Sequence, residues 1–300
     1  MVSIITINYN GCKDTCELIA SLKRYETYPH EIIVVDNASQ EDDAKYIQVA
    51  FPEVTVISSK HNLGFAGGNN LGYQYAKGEF IFFLNNDMII KAPVLQAMVK
   101  RLEDNRWAGV SPCIAFYFDP EQLQYYGYQD LTSISLRHTT ESFEPARREQ
   151  FLEPKETEVL HGGAMMVRRD VIERVGLMTE VYFLFFEEFD WSRRMREAGY
   201  RLFYEPASVV YHKEGMSIPK VTPLREYYLM RSRMIYARRN SKGLRKLLTC
   251  SYLLFLAIPK NSFLCLLKGR WDLVKGIWKG GLSGLFLHLD LSCNITAKKG

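Results

Sequence analysis

Short apolar runs rich in β-branched and aromatic residues open the chain, at 2–7, 32–35, 54–57 and 80–84, and helix-compatible stretches separate them. Residues 13–24 carry helical spacing at Cys16, Ile19, Ala20 and Leu22, residues 43–50 read as a second helix, and a short third helix follows the Gly- and Asn-rich stretch after 57. Strand–helix alternation of this kind predicts an α/β fold, a mostly parallel sheet with helices on both faces. In such sheets ligands bind beyond the carboxyl ends of the strands, so the residues just after each run are where chemistry is expected.

Those strand ends are unusually polar. They read Asn8-Tyr-Asn10, Asp36-Asn-Ala-Ser39, His61-Asn-Leu-Gly-Phe-Ala-Gly-Gly-Asn-Asn70 and Asn85-Asn-Asp87. Any one of them is adequately explained as a turn or helix cap. Four at successive strand ends converge on one crevice, which turn chemistry alone does not require. Neither GxxxxGK[ST] nor GxGxxG occurs in the Gly-rich segment, so a phosphate loop is not the explanation. Residues 116–159 are irregular and polar, and the sequence leaves open whether they are a surface excursion or face a substrate. Further on, His161-Gly-Gly163 turns into another strand, and Glu187-Glu-Phe-Asp-Trp191 opens a helix that Gly199 closes. Two strand-like runs at 201–204 and 208–211 lead directly into His212.

Composition bounds the rest. At 47% hydrophobic and 24% charged, the chain is neither disordered nor a small disulfide scaffold. The six cysteines form no CxxC or Cys/His cluster, which points to reduced thiols in a cytoplasmic protein. The first strand-like run starts at Val2 with no charged leader, so Asn294-Ile-Thr296 carries little weight as a glycosylation acceptor. The net charge of +4 hides an asymmetry: residues 221–300 hold 15 Lys+Arg against 3 Asp+Glu, while the rest is acidic.

Taken together the motifs resemble the family 2 glycosyltransferases of GT-A fold, and more narrowly their rhamnosyltransferase-like branch. The matching residues are Val2-Ser-Ile-Ile-Thr-Ile-Asn-Tyr-Asn-Gly11, Val34-Val-Asp-Asn-Ala-Ser39, Asn62 to Gly72, Phe83-Leu-Asn-Asn-Asp87, Phe186-Glu-Glu-Phe-Asp-Trp191 and Val210-Tyr-His212. The resemblance covers residues 2 to about 215 and specifies the superfamily more sharply than the sugar.

It implies a domain at 1–220 that moves a sugar, with rhamnose a candidate, from a dTDP- or UDP-sugar to a lipid-linked or polysaccharide acceptor in bacterial surface-glycan synthesis, with inversion. A hard divalent cation, Mg²⁺ or Mn²⁺, neutralises the leaving diphosphate. The family's Asp-x-Asp corresponds to Asn85-Asn86-Asp87, so Asp87 and His212 are the implied metal ligands. Asp36 is the implied acceptor for a pyrimidine ring N–H, because a carboxylate only accepts. Thr6, Tyr9, Asn10, Asn62, Gly64, Asn70, Asn85 and Asn86 complete the implied nucleotide-sugar set. The acidic pair makes Glu188 the implied general base and Glu187 the second candidate. Gly163, Asp190 and Trp191 are implied on the acceptor side, with Trp191 offering a flat face to sugar C–H groups. Glutamate at 188 and Asn85 where aspartates are usual keep a non-catalytic nucleotide-sugar-binding partner as an alternative, alongside a nucleotidyltransferase of similar fold.

In 221–300, arginines crowd a helical stretch from 225 to 246, and an apolar run at 247–258 stops at Pro259. Twelve residues fall short of the ~20 needed to cross a bilayer. Basic residues with Trp271 and Trp278 suit a peripheral segment on the inner face of the cell membrane. A helical subdomain packed on the core is the competing reading, and nothing resembles a nucleic-acid-reading module.

Overall fold

A computed structural model of the chain describes residues 1–213 and 221–289. Cys293, the Asn294–Thr296 triplet, Gly215 and the expected boundary at 220 lie outside the described residues. Strands β1 (Val2–Asn8), β2 (His30–Asp36), β3 (Thr55–Ser58), β4 (Phe80–Leu84), β5 (Met88–Ile90), β6 (Trp107–Phe116), β7 (Leu123–Tyr125), β8 (Lys155–Thr157), β9 (Ala164–Arg168) and β10 (Arg201–His212) form one sheet. Helices α1 (Cys12–Tyr25), α2 (Asp43–Ala50), α3 (Gly64–Tyr73), α4 (Leu95–Leu102), α5 (Arg148–Phe151), α6 (Arg169–Val175) and α7 (Glu187–Glu197) accompany it. After the gap come α8 (Pro223–Asn240), α9 (Gly243–Tyr252), α10 (Ile258–Leu267) and α11 (Trp271–Phe286).

Along the main path the strand order is β3-β2-β1-β4-β9-β6-β10-β5. The half formed by β3, β2, β1 and β4 is parallel as the alternation predicts. Beyond it the sheet is mixed: β9 runs antiparallel between β4 and β6, and β5, β7 and β8 pair antiparallel as well. The expectation of a mostly parallel sheet therefore needs correcting for its second half. There the return strands follow turns and irregular excursions, which permit antiparallel neighbours, whereas a parallel pair needs a long crossover. Period-2 alternation sends successive residues to opposite faces. Ile4, Val34 and Phe82 pack with Leu18, Ile47 and Met98 of α1, α2 and α4; Ile5, Ile33 and Ile81 pack with Ala66, Ile172 and Met195 of α3, α6 and α7. Both faces are thus covered by helices, which is why these strands read as continuous apolar runs.

Asn8 stands directly opposite Asp36, which in turn is opposite Ser58, so three strands end at one level. On the other side His212 pairs with both Met88 and Phe116, setting the end of β10 beside the turn after β4. This register carries polar residues far apart in sequence to one edge of the sheet.

The C-terminal helices depart from expectation in two ways. First, Pro259 does not stop the apolar run. A π-helical turn at Leu253–Ala257 precedes it, and the helix continues unbroken across 25 residues, Gly243–Leu267. Proline lacks an N–H and clashes with the preceding turn of an α-helix; the wider i→i+5 turn absorbs both defects. Second, α11 lies against the backbone of α8. A Cβ at Gly276 or Gly280 would overlap the carbonyl oxygen of Pro223 or Tyr227, and one at Gly284 would sit 2.5 Å from Arg231 O. Spacing of four places these glycines on one helical face. Gly280→Ala should therefore destabilise the protein by about 1–3 kcal/mol, seen as a lower thermal unfolding midpoint; a variant that melts with the wild type would show that the helices do not approach this closely.

Candidate active site

The carboxyl ends of β1 and β2 are tied together by Asn8. Its Nδ2 lies 2.9 Å from Asp36 Oδ1, 3.0 Å from Ser39 Oγ and 2.8 Å from Asp43 Oδ2, and its Oδ1 accepts from Thr15 Oγ1 at 2.7 Å. Asp36 Oδ1 also accepts from Ser39 Oγ at 2.5 Å, whereas Oδ2 receives only a long 3.4 Å contact from Ser39 N–H. One carboxylate oxygen of Asp36 is thereby clamped and the other keeps acceptor capacity. Tyr9 is 46% exposed beside it, and Asn10, left-handed at φ 52°, accepts from Gln40 N–H at 2.8 Å.

The opening of α3 is braced from two sides. Asn62 Oδ1 accepts from Gly64 N–H at 2.9 Å and Asn37 Nδ2 at 3.2 Å; Asn70 Nδ2 donates to Met178 O and Glu180 Oε1, both at 2.9 Å. Gly64 has φ 71°, and a Cβ there would overlap Phe183 O, so only glycine lets α3 begin here.

Beyond β4, Asn85 N–H donates to Gly163 O at 2.9 Å, and Gly163 N–H donates to His161 Nδ1 at 3.0 Å. Burial, with the nearby His212 adding to it, drives the His161 pKa down to about 3, so its ring stays neutral and can accept this bond. The Glu188 side chain lies close to Gly162, where an added Cβ would meet it at 3.7–3.8 Å. The His161–Ala164 turn therefore bridges the Asn85 turn to the acidic start of α7.

Asp87 Oδ2 and His212 Nε2 lie 3.2 Å apart, both groups largely buried. His212 Nδ1 is 2.6 Å from Gln124 Oε1; an amide oxygen only accepts, so Nδ1 carries a proton and Nε2 is the ring atom that faces the carboxylate. A carboxylate oxygen and an imidazole nitrogen at this distance can be bridged by a proton or by a metal cation. Asp87 Oδ1 is buried with no hydrogen-bond partner. A divalent cation fits this donor set: Nε2 and the carboxylate oxygens are suitable ligands, and a hydrogen bond such as the one to Gln124 is the kind of contact that orients a histidine for a metal. Among the described residues no group of three or more His, Cys, Asp or Glu side chains gathers that could hold a metal ion by itself.

Glu187 and Glu188 begin α7 after an abnormal entry. Phe183, Phe185 and Phe186 have φ of 67°, 67° and 70°, a left-handed conformation that costs a non-glycine residue on the order of 1–3 kcal/mol. Burial, and secondarily the charge of Glu188, hold the Glu187 carboxyl well above the usual range. Burial likewise raises Glu188 to about 7, against backbone N–H groups at the helix start that pull it down. Desolvation outweighs the helix terminus at both carboxyls.

Several expected site residues sit elsewhere. Trp191 is 1% exposed, its edge against Phe83 at 5.6 Å and its Nε1–H donating to Gly176 O at 2.8 Å. It is a core residue and presents no face to a sugar, because its helix turns this position onto the sheet. Asp190 is equally buried, bonded to Thr179, Tyr182 and Asn240 and near Arg194 and Arg239. Burial alone would raise its pKa, but those two arginines bring it below the usual carboxylate range, so it is a structural ion-pair centre. Thr6 lies wholly buried within β1, two residues short of the strand end, and Asn86 points to α1, where Nδ2 donates to Thr15 Oγ1 at 3.1 Å. Thr6 shares the face of Asn8 but lies one step deeper in the strand, and Asn86 joins the Asn8 network through Thr15, which donates to Asn8 Oδ1. Conversely, Gln124 and Asn8 were not among the expected site residues. Asn8 was detectable as the strand-end partner of Asp36; Gln124 belongs to no motif and meets His212 across 88 residues.

Residues 3–176 match glycosyl transferase family 2, more than half of the chain, and the chain belongs to that family. It is a glycosyltransferase. It is 26% identical over 292 residues to the dTDP-rhamnosyl transferase RfbF of Shigella flexneri, covering 90% of each chain. It is 25% identical over 199 residues to the low-salt glycan biosynthesis hexosyltransferase Agl10 of Haloferax volcanii, covering 65% of this chain and 61% of that one. A structure of GalNAc-T7 with UDP, GalNAc and Mn²⁺ superposes with a TM-score of 0.61 at 18% identity, over 87% of this chain and 57% of the other. The fold is the GT-A arrangement that the motifs imply.

The raised Glu188 pKa has a stability consequence. A carboxyl whose pKa is higher in the folded state leaves the fold fully stable at low pH and weakens it as pH climbs from the usual carboxylate range through about 7. Glu188→Gln should thus melt progressively above the wild type as pH rises from about 5 to about 8, by a few °C as an order of magnitude; parallel melting curves across that range would contradict the desolvated carboxyl.

Proposed function

We propose that this protein is an inverting, metal-dependent glycosyltransferase. It moves a sugar, rhamnose being the first candidate, from a dTDP- or UDP-sugar to a lipid-linked or polysaccharide acceptor. The observation that carries the reading is the Asp87–His212 pair, one carboxylate oxygen buried without a partner, on the same strand-end rim as a carboxyl held near neutrality. The dTDP-rhamnosyl name of the Shigella relative, matched nearly end to end, supports the donor. The Mn²⁺ and UDP of the structural neighbour support the cation and nucleotide class.

Asp87 and His212 would hold Mg²⁺ or Mn²⁺, which supplies charge neutralisation at the leaving diphosphate. Asp36 Oδ2 would accept the pyrimidine N–H, with Tyr9 and Asn10 beside the base. The loop braced by Asn62 and Asn70, with Gly64 at its turn, would close on the nucleotide, and Asn85 and Gly163 would line the floor. Glu188 takes the proton of an acceptor hydroxyl as that oxygen bonds to the anomeric carbon. The bond from that carbon to the diphosphate oxygen breaks, nucleotide diphosphate departs, and attack from the opposite face inverts the centre. Glu187, held neutral, leaves the single negative charge on Glu188. We read 1–220 as the catalytic domain and 221–300 as its helical extension.

Incubating the full chain with a panel of dTDP- and UDP-sugars, Mn²⁺ and a polyprenyl-linked acceptor should release nucleotide diphosphate. Glu188→Gln should lower kcat by about 10²–10⁴-fold, and the wild-type rate should rise with pH through about 7, where the base loses its proton. Asp87→Ala should weaken Mn²⁺ binding in calorimetry with nucleotide diphosphate present. No turnover with any donor, or full activity in both variants, would overturn the assignment.

We further propose that the protein works at the inner face of the cell membrane. Leu247, Leu248, Phe255, Leu256, Phe263 and Leu264 are exposed on the 243–267 helix, of whose most apolar window 22% is buried. Trp271 and Trp278 are exposed on α11, and Lys260, Lys268 and Lys279 are exposed in the same helical region. Apolar and aromatic side chains among lysines suit an anionic lipid surface. Substituting Phe255 and Leu256 together by glutamate should release the full chain from vesicles containing anionic lipid in co-sedimentation; undiminished binding would remove this helix from the interface.

A further inference from the structure

Most of the arginines of α8 point inward. Arg231 Nη1 donates to Val181 O at 2.9 Å and Tyr182 O at 3.0 Å. Ser232 Oγ, on a residue with no exposed surface, reaches Leu184 O at 2.7 Å and Tyr182 O at 3.1 Å. A serine inside a helix ordinarily bonds the carbonyl one turn earlier; this one bonds a different segment of the chain. The ring of Phe183 stacks on Tyr228 at 4.7 Å with an 18° tilt, and the Arg225 guanidinium lies 5.5 Å from the centre of the Phe185 ring. One turn into α7, Asn240 Nδ2 donates to Asp190 Oδ1 at 2.8 Å. From Val181 to Asp190, the peptide that presents Glu187 and Glu188 is gripped along its length by one helix, and three residues of that peptide are left-handed. Such strain persists only where the surroundings over-determine it.

We infer that Ser232 and Arg231 are positioning residues of the transfer reaction: through the carbonyls of residues 181, 182 and 184 they hold the left-handed entry to α7 that sets Glu188 at the rim. This rests on the reading of Glu188 as the base. Helix α8 then belongs to the machinery of the active site, and its Arg225, Arg231 and Arg239 face the catalytic loop.

The test compares Ser232→Ala, Ser232→Thr and Arg231→Gln with the wild type in the full chain. Ser232→Ala should lower kcat at least about tenfold, as misplacement of a catalytic group by an ångström does, while donor KM moves less than about threefold. Amide exchange in 181–188 should quicken, and Ser232→Thr, which restores the hydroxyl, should recover most of kcat. If Ser232→Ala does not fold, Arg231→Gln, at a half-buried position, is read in the same way. Unchanged kcat, with or without faster exchange, overturns the inference, as does a loss that falls on donor KM alone. Glu188→Gln measured alongside separates the two ideas: if it turns over like wild type, the assignment of the base is wrong, whatever the α8 variants do.

Discussion

A carboxylate oxygen and an imidazole nitrogen 3.2 Å apart, on turns separated by more than a hundred residues, are the contact on which the proposed chemistry depends. With Nδ1–H committed to Gln124, Nε2 is left facing the carboxylate, an arrangement that a proton or a metal cation can bridge. The sheet makes that encounter unavoidable. β5 runs straight out of the Asp87 turn and pairs antiparallel with the end of β10, so Met88 and His212 are register partners. Backbone hydrogen bonds, including Lys213 N–H to Asp87 O at 3.0 Å, hold the two side chains close before any ligand is considered.

The second constraint is the strained approach to α7. An aromatic segment that turns left-handed three times would relax if left alone, and α8 supplies the contacts that prevent it. α8 is itself pinned by the glycine face of α11, whose missing Cβ atoms allow backbone contact. A hydrophobic cluster joins Tyr182 and Phe186 to Met234, Ile235 and Leu253, so loop and helices share one core. The competing readings of the C-terminal region, membrane-surface segment and packed subdomain, are therefore compatible: α8 turns inward, while one side of the 243–267 helix stays exposed.

Much of the fold was legible because periodicity and strand ends are local. Residues 2–7, 32–35, 54–57 and 80–84 announce four strands, and the polar residues after them announce where the crevice lies. Asp36, Asp87 and Gly64 could be named because they stand at or follow such strand ends within motifs that resemble the family's, and the Glu187-Glu188 pair because that resemblance places acids at this helix start. Trp191 and Asp190 were misread because an apolar ring or an acid in a first helical turn looks the same whether it meets a ligand or the core; the helix's rotation decides, and here it buries both. Pro259 was misread for a related reason: a proline's effect depends on the turn before it, and a π turn is not visible in residue types.

The sequence by itself determined the family, the parallel half of the sheet and the edge at which the polar residues gather, since each follows from spacing along a single strand or helix. Only the tertiary structure decided that Gln124 orients His212, that Asn8 clamps Asp36, that the second half of the sheet is mixed and that Ser232 and Arg231 grip the peptide leading into Glu187. Those are pairings between residues tens to more than a hundred positions apart, and their partners are chosen by strand register and helix rotation, which no local pattern encodes.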